Sequence, residues 1–256
     1  MDEKSLKKLL DLKYKQFNTV EFISSDPVSI PHLFSKKEDI EISGFLTSTI
    51  AWGQRTTIIK NSLKLMDMMD MNPHDYVLNA NKYDLRILRK FVHRTFNGND
   101  CLYFIKSLKH IYKKYGSLEN AFLVGYDKDK TIRTSIIEFR KIFFSLVHDP
   151  HTEKHISDPL KNSSCKRLNL FLRWMVRKDN NGVDFGIWKK IPSSALLCPL
   201  DLHTGNVSRE LRITTRTKND WIAVEEITDK LKKFDPTDPA KYDFALFGIG
   251  VNNIQK

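Results

Sequence analysis

Cysteine, glycine and proline are all scarce in this chain of 256 residues, which has three cysteines, 10 glycines and nine prolines. The cysteines, Cys101, Cys165 and Cys198, are widely spaced, and this excludes a disulfide framework and a CxxC metal-binding motif. Because glycine and proline interrupt helices, their scarcity favours long helical segments. This use of cysteine predicts a protein of the reducing cytoplasm.

The sequence also lacks a long hydrophobic run. One of its longest apolar stretches, residues 195–200, is far shorter than the roughly 20 residues that a membrane-spanning helix needs. No apolar run follows the charged start of the chain, so no export signal is predicted. We therefore expect a soluble, monomeric protein without a membrane partner.

Positive charge is in excess, with 42 Lys and Arg against 31 Asp and Glu and a net charge of +11. Such a balance favours polyanionic partners but does not identify one. Residues 161–178 contain six basic residues and no acidic one: Lys161, Lys166, Arg167, Arg173, Arg177 and Lys178. This stretch predicts a phosphate-binding surface, and a solvated helix face is the alternative.

Apolar residues recur three or four positions apart along most of the chain, which predicts an all-α fold. After an amphipathic opening helix, we expect helices over residues 38–52, 56–71, 82–96, 100–115, 118–124, 130–148, 166–177, 203–211, 220–233 and 237–249. Asp201 is the expected N-cap of the helix near 203–211. The polar stretch after residue 148 is the expected linker. A linker at this position predicts one two-lobed domain, with residues 55–148 as the middle lobe and residues 1–54 plus 149–256 as the second lobe.

A lysine and an aspartate form the most informative pair. Lys166 begins a basic helix, and Asp201 follows 35 residues later. A lysine amine held near other cations loses its proton more readily and can attack a sugar C1′, while a carboxylate stabilises the positive charge that develops there. By spacing alone, the structural interpretation is favoured, because a lone lysine and a capping aspartate are both common features.

Three segments resemble the helix-hairpin-helix DNA glycosylase superfamily, in the same order as in that superfamily. Residues 199–209, PLDLHTGNVSR, are similar to its P-[VL]-D-x-H-x-x-R-[VI]-x-R segment, in which the aspartate is catalytic. Residues 45–56, FLTSTIAWGQRT, resemble its L-[IL]-S-x-Q-T helix end, and residues 238–250 resemble its closing helix. The whole chain is closer still to a bacterial family of unassigned activity, marked by residues 166–177 and 242–247.

The resemblance implies a two-lobed helix-hairpin-helix glycosylase-like fold that binds duplex DNA in a basic cleft and excises a damaged base. The long spacing between lysine and aspartate is similar to that of archaeal 8-oxoguanine glycosylases, so an oxidised purine is the implied base. The resemblance implies Asp201 and Lys166 as the catalytic pair. If Lys166 is not the nucleophile, Lys161 is the nearest candidate. The implied DNA contacts are Gln54, Arg55, Ser163, Ser164, Arg167, His203 and Arg209.

The chain departs from the superfamily at the hairpin, which usually reads [LF]-P-G-[VI]-G-x-K. This chain has Asn162-Ser163-Ser164-Cys165-Lys166 instead. Serines still cap a helix, and amides at a helix N-terminus still favour a phosphate. No four-cysteine cluster follows the last helices, so an iron–sulfur cluster is not expected, and no other cofactor is predicted.

Several residues admit two interpretations. For Trp52 and Trp174, the two interpretations are stacking on an extruded base and packing in the core. For His203, they are a contact with the substrate and a structural position at a helix N-terminus. A further group has the residue types of a metal-binding cluster: His148, His151 and His155, with Asp149 and Glu153. Without a helical carboxylate four positions away, we expect no metal site there.

Two alternatives to a glycosylase remain open. One is a DNA- or RNA-binding protein of the same fold without catalysis. The other is an enzyme that acts on another substrate, whose basic surface only attracts polyanions. A catalytic pair requires the Lys166 amine and the Asp201 carboxylate to face each other.

Overall fold

A computed structural model describes residues 1–254, which form thirteen α-helices and no β-strand. This confirms the predicted all-α class for the described chain. The helices are α1 (Glu3–Phe17), α2 (Val20–Ser25), α3 (Lys37–Thr49), α4 (Arg55–Asp67), α5 (Pro73–Asn79), α6 (Lys82–Leu88), α7 (Gly98–Tyr115), α8 (Leu118–Asp129), α9 (Ile132–Phe143), α10 (Lys166–Val176), α11 (Leu202–Glu210), α12 (Trp221–Phe234) and α13 (Tyr242–Ile254).

The largest departure from the predicted helices lies in residues 82–96. Helix α6 ends at Leu88, and the chain then turns through an antiparallel bridge between His93 and Phe96. Helix α7 begins directly afterwards, because Asn97 and Asp100 form a reciprocal capping box around its first turn. Apolar residues in this turn continue the helical spacing, and periodicity alone cannot separate them from a helix.

The chain divides into two compact units, one of residues 24–157 and one of residues 1–23 and 158–256. The division after residue 157 lies inside the predicted linker. Residues 24–54 belong to the unit of the middle helices, rather than with the C-terminal part as expected. The reason is visible in α3, whose residues from Asp39 to Thr49 are all buried and pack against α4 and α5.

The unit of residues 24–157 is built around aromatic side chains, and a buried carboxylate of α3 joins three of its helices. Phe122 of α8 stacks on Phe139 of α9, with ring centroids 3.9 Å apart. Glu41 of α3 accepts hydrogen bonds from the Tyr112 hydroxyl (2.8 Å) and from the Leu118 amide (3.1 Å). Because a buried charge is costly unless it is hydrogen-bonded, these contacts fix α3 against α7 and the start of α8.

The other unit packs α1, α11, α12 and α13 around an apolar cluster. Its members include Leu10, Leu200, Val207, Ile227 and Leu246. At Gly248 the backbone of α13 lies so close to α1 that an added Cβ would meet a ring carbon of Phe17 at 2.0 Å. This core supports the start of α11, where Asp201 lies.

Within residues 1–254, no helix combines the length and the apolar character that crossing a membrane requires. Cys101, Cys165 and Cys198 are all buried, and none of the three forms a disulfide.

Candidate functional site

Lys166 is the first residue of α10 and follows a tight turn. The turn contains two residues in the left-handed conformation, Asn162 (φ 58°) and Cys165 (φ 48°). Asn162 is tied to the start of α12, because its carbonyl accepts from the Trp221 amide (3.2 Å) and its side-chain amide donates to Asp220 (3.2 Å). The direction in which α10 begins is therefore set by contacts to a distant helix.

Asp201 is the N-cap of α11, as predicted from the sequence. Its carboxylate accepts a hydrogen bond from the Thr204 amide at 3.0 Å. The backbone on either side is held as well, since Ser164 donates to the Leu200 carbonyl (3.2 Å) and Asn219 donates to the Asp201 carbonyl (3.0 Å). These bonds connect the turn before α10 to the cap of α11.

The structure brings the predicted catalytic pair together. Nζ of Lys166 lies 3.8 Å from Oδ2 of Asp201, and the two side chains are 27% and 34% exposed. A solvent-accessible amine thus faces a carboxylate whose position is fixed by a helix cap. The arrangement can supply a nucleophilic nitrogen and a negative charge to one reacting carbon.

A buried acid lies in the electrostatic surroundings of this pair. Asp243 of α13 is paired with Arg173 of α10, and burial raises the pKa of Asp243 to about 6 despite this arginine. The charges of Asp201 and Lys166 act on the same carboxyl group, in opposite directions. A buried ion pair therefore contributes to the electrostatic surroundings of Lys166 and Asp201.

Two of the six basic residues in the 161–178 stretch are not available to phosphates, and this corrects the sequence interpretation. Arg173 is buried between Asp184 and Asp243, and Arg177 is fully buried. Three carboxylates surround the Arg177 guanidinium at 2.7 to 3.0 Å: Asp179, Asp184 and Asp238. Both arginines organise the interior, and Lys161, Lys166, Arg167 and Lys178 remain from the predicted surface.

The other predicted contacts near the pair have different environments. His203 is exposed on the first turn of α11, and Ser163 and Arg167 are half-buried. Arg209 donates to Asn206 (2.9 Å) and Asn219 (2.9 Å), so its guanidinium serves the local fold. A DNA contact by Arg209 remains a prediction.

Asn219 is a positioning residue that the sequence interpretation missed. It joins the carbonyl of Asp201 to the guanidinium of Arg209. Gly205 leaves the space for it, since an added Cβ there would lie 2.3 Å from the Asn219 side-chain oxygen. An asparagine in a polar loop gives no signal of this role in the sequence.

Trp174 is a core residue, which corrects its proposal as a base-stacking side chain. Its exposed fraction is 0%, and it lies in the last turn of α10. A ring that is closed to solvent cannot receive an extruded base.

Trp52, Gln54 and Arg55 belong to the unit of residues 24–157. Trp52 is half-buried and its ring meets the ring of His93 edge-on, with centroids 4.9 Å apart. Gln54 is the exposed N-cap of α4, and Arg55 is the first residue of that helix. Their roles in DNA binding stay predictions.

The five residues of the His148–His155 segment that resemble a metal cluster do not form one group in the structure. Asp149 caps the short 3-10 helix Pro150–His155, and Glu153 pairs with Arg140 (2.8 Å) and His148 (3.2 Å). His151 and His155 instead approach Asp100, at the start of α7.

Together these features define an all-α protein with a solvent-accessible lysine–aspartate pair at the N-termini of two helices. Residues 26–252 match the model of the family described as "Protein of unknown function (DUF2400)". The chain belongs to this family. No curated protein and no solved structure matches the chain.

Proposed function

We propose that this protein is a DNA base-excision glycosylase of the helix-hairpin-helix type with an associated lyase activity. The observation that carries the proposal is the 3.8 Å approach of the Lys166 amine to the Asp201 carboxylate. It supports the catalytic pair that the sequence resemblance implies. An oxidised purine is the favoured base, on the resemblance alone.

The turn before α10 also supports this function. Asn162 stands where the superfamily motif has its first glycine, and it adopts the left-handed conformation that glycine favours. Asparagine is among the few other residues that tolerate this conformation. The departure from the glycine motif is therefore compatible with a hairpin of similar course.

The start of α10 offers amides to a DNA phosphate. No acidic residue occupies the first turn of α10. The amides at a helix N-terminus and the helix dipole both favour an anion. Lys161 and Lys166 add positive charge on either side of this turn.

In the proposed reaction, Lys166 and Asp201 each act on a defined part of the sugar. Nζ of Lys166 forms a bond to the sugar C1′ while the C1′–N glycosidic bond breaks, and the base leaves with the electron pair and takes up the proton that Nζ releases. Asp201 stabilises the positive charge that develops on the sugar. Opening of the C1′–O4′ bond, in which O4′ takes up a proton from water, then gives a protonated imine between Lys166 and C1′. Loss of a C2′ proton to water forms the C2′–C3′ double bond, and the 3′ phosphate leaves with its electron pair.

A panel of duplexes tests this function. Each duplex carries one lesion (an oxidised purine, an alkylated purine, uracil or an abasic site), and an undamaged duplex is the reference. We expect the wild-type protein to produce strand breaks at one class of damaged base, and Asp201→Asn to be at least about 100-fold slower. Failure of the wild-type protein to process any of the lesions contradicts the proposal.

Binding without catalysis is the second candidate function. This candidate is supported by the geometry of the Lys166–Asp201 pair. A separation of 3.8 Å between two partly exposed charges is also found in ordinary surface ion pairs. In that case the protein binds duplexes, and no lesion in the panel is processed.

A further inference from the structure

A buried carboxylate lies between two imidazoles in the unit of residues 24–157. Asp100 is 1% exposed, with Oδ1 lying 3.1 Å from Nδ1 of His151 and Oδ2 lying 3.2 Å from Nε2 of His155. One candidate ligand atom from each of the three residues lies within 4.8 Å of the other two. We propose that Asp100, His151 and His155 bind one divalent transition-metal ion, of which Zn²⁺ is the representative.

The distances suit a shared ion. Ligand atoms about 2.0–2.2 Å from a tetrahedral Zn²⁺ lie about 3.3–3.5 Å from one another. The two separations involving Asp100, 3.1 and 3.2 Å, are close to this value and run to its two different oxygens, so both carboxylate oxygens face the proposed ion. They are longer than the roughly 2.7–2.9 Å of a charge-assisted hydrogen bond between an imidazolium and a carboxylate. Two imidazoles and one carboxylate are a ligand set that binds Zn²⁺ or Fe²⁺.

Outer contacts orient the proposed ligands. The Thr152 hydroxyl donates to Oδ1 of Asp100 (2.8 Å), and the Asn97 amide donates to Oδ2 (2.9 Å). The ring of Trp52 stacks on His155, with centroids 5.9 Å apart and planes 26° apart. Contacts of this kind fix the rotamers of metal ligands and influence affinity.

Solvent can reach the site from one side. His151 is 40% exposed, whereas His155 is only 2% exposed, so a water molecule can supply a further ligand on the His151 side. The positive charge of Lys154 disfavours a bound cation, because its Nζ lies 2.6 Å from Nε2 of His151. When Nδ1 binds a metal, Nε2 carries the proton, and the exposed Lys154 side chain must turn away.

The site is independent of the proposed glycosylase chemistry, since its residues all lie in residues 24–157 and the Lys166–Asp201 pair does not. Metal binding is therefore measured without DNA. Calorimetry with Zn²⁺ and absorption spectroscopy with Co²⁺ use the full chain without an affinity tag. We expect one equivalent of metal, and a melting temperature that rises with Zn²⁺.

Four variants localise the binding. His151→Ala and Asp100→Asn should weaken it by at least about tenfold, and Lys154→Ala should strengthen it. His148→Ala is the matched control, because His148 lies in the neighbouring segment and contacts Glu153 and the Leu146 carbonyl instead. Its affinity should equal that of the wild type. Circular dichroism verifies that each variant is folded.

Two results would overturn the metal site. One is the lack of saturable Zn²⁺ or Co²⁺ binding by the wild-type protein at micromolar concentrations. The other is wild-type affinity in folded His151→Ala and Asp100→Asn. Either result means that the three residues form only a hydrogen-bonded cluster that holds the segment Pro150–His155 to α7.

Discussion

The amine of Lys166 lies 3.8 Å from the carboxylate of Asp201, although the two residues belong to different helices, α10 and α11. Both stand at helix N-termini, one as the first residue and the other as the N-cap. The Ser164 bond to Leu200 and the Asn219 bond to Asp201 hold the two ends in this arrangement. A pair fixed by backbone contacts suits a reaction that requires both groups at one carbon.

Asp201 has a structural and a chemical role that two substitutions separate. Asp201→Asn keeps a good N-cap and should melt near the wild-type temperature, whereas Asp201→Ala should lose about 1 kcal/mol of unfolding free energy. Both should lose base excision, because both remove the negative charge. The matched control is Asp2→Ala, which removes the equivalent cap of α1. Excision that survives in Asp201→Asn would reduce Asp201 to a capping residue.

Arg177 should be essential for stability rather than for DNA binding. Its guanidinium is buried among Asp179, Asp184 and Asp238, so Arg177→Met leaves these carboxylates without their cation. Breaking a buried ion network from one side costs about 3–5 kcal/mol. Urea denaturation of Arg177→Met and of the exposed-site control Lys178→Met measures the difference. A stable Arg177→Met with weakened DNA binding would restore Arg177 to the phosphate-binding surface.

Asp220 should make stability sensitive to acid. The pKa of Asp220 is lowered from 3.8 to about 2, and the largest cause is its hydrogen bonding with Arg216. A carboxylate whose pKa is depressed in the folded protein stabilises it fully above about pH 4, and this contribution is lost as the pH falls towards 2.

Asp220→Asn keeps the N-cap of α12 but removes the charge, and it should cost about 1 kcal/mol at pH 7. The difference from wild type should shrink when denaturation is repeated near pH 2. A difference that is independent of pH would show that the ion pair contributes nothing. Because Asp220 also accepts from Asn162, we expect Asp220→Asn to weaken DNA binding as well.

Lys161 should contribute to DNA affinity through its charge. It is exposed directly before the turn that leads to α10. Fluorescence anisotropy of an undamaged duplex over a range of salt concentrations gives the dependence of log K on log [salt]. Lys161→Gln should reduce the magnitude of this slope by about one, as expected for the loss of one phosphate contact. Lys233→Gln, the same charge change on α12, is the control, and an equal effect of both substitutions would contradict a specific contact.

Local features of the fold were predictable from the sequence, and long-range partners were not. Asp201 as an N-cap follows from the residue type and from the apolar pattern after it, and both are local. Arg173 and Arg177 resembled surface cations although Asp179 and Asp184 are near them in the sequence, because nothing local shows that these groups are buried together. Their other partners, Asp243 and Asp238, lie 70 and 61 residues further along the chain. Asp100 was missed for the same reason, since 51 residues separate it from His151.

The most direct test of the central claim is the capture of the imine between Lys166 and the sugar. Borohydride delivers a hydride to the imine carbon and leaves a stable secondary amine that joins the protein to DNA. Wild-type protein, Lys166→Gln and Lys161→Gln are incubated with borohydride and duplexes that carry an oxidised purine or an abasic site. The account predicts a covalent complex with wild type and Lys161→Gln that is lost in Lys166→Gln. A complex that persists in Lys166→Gln, or base excision by the wild type without any trapped complex, would contradict Lys166 as the nucleophile.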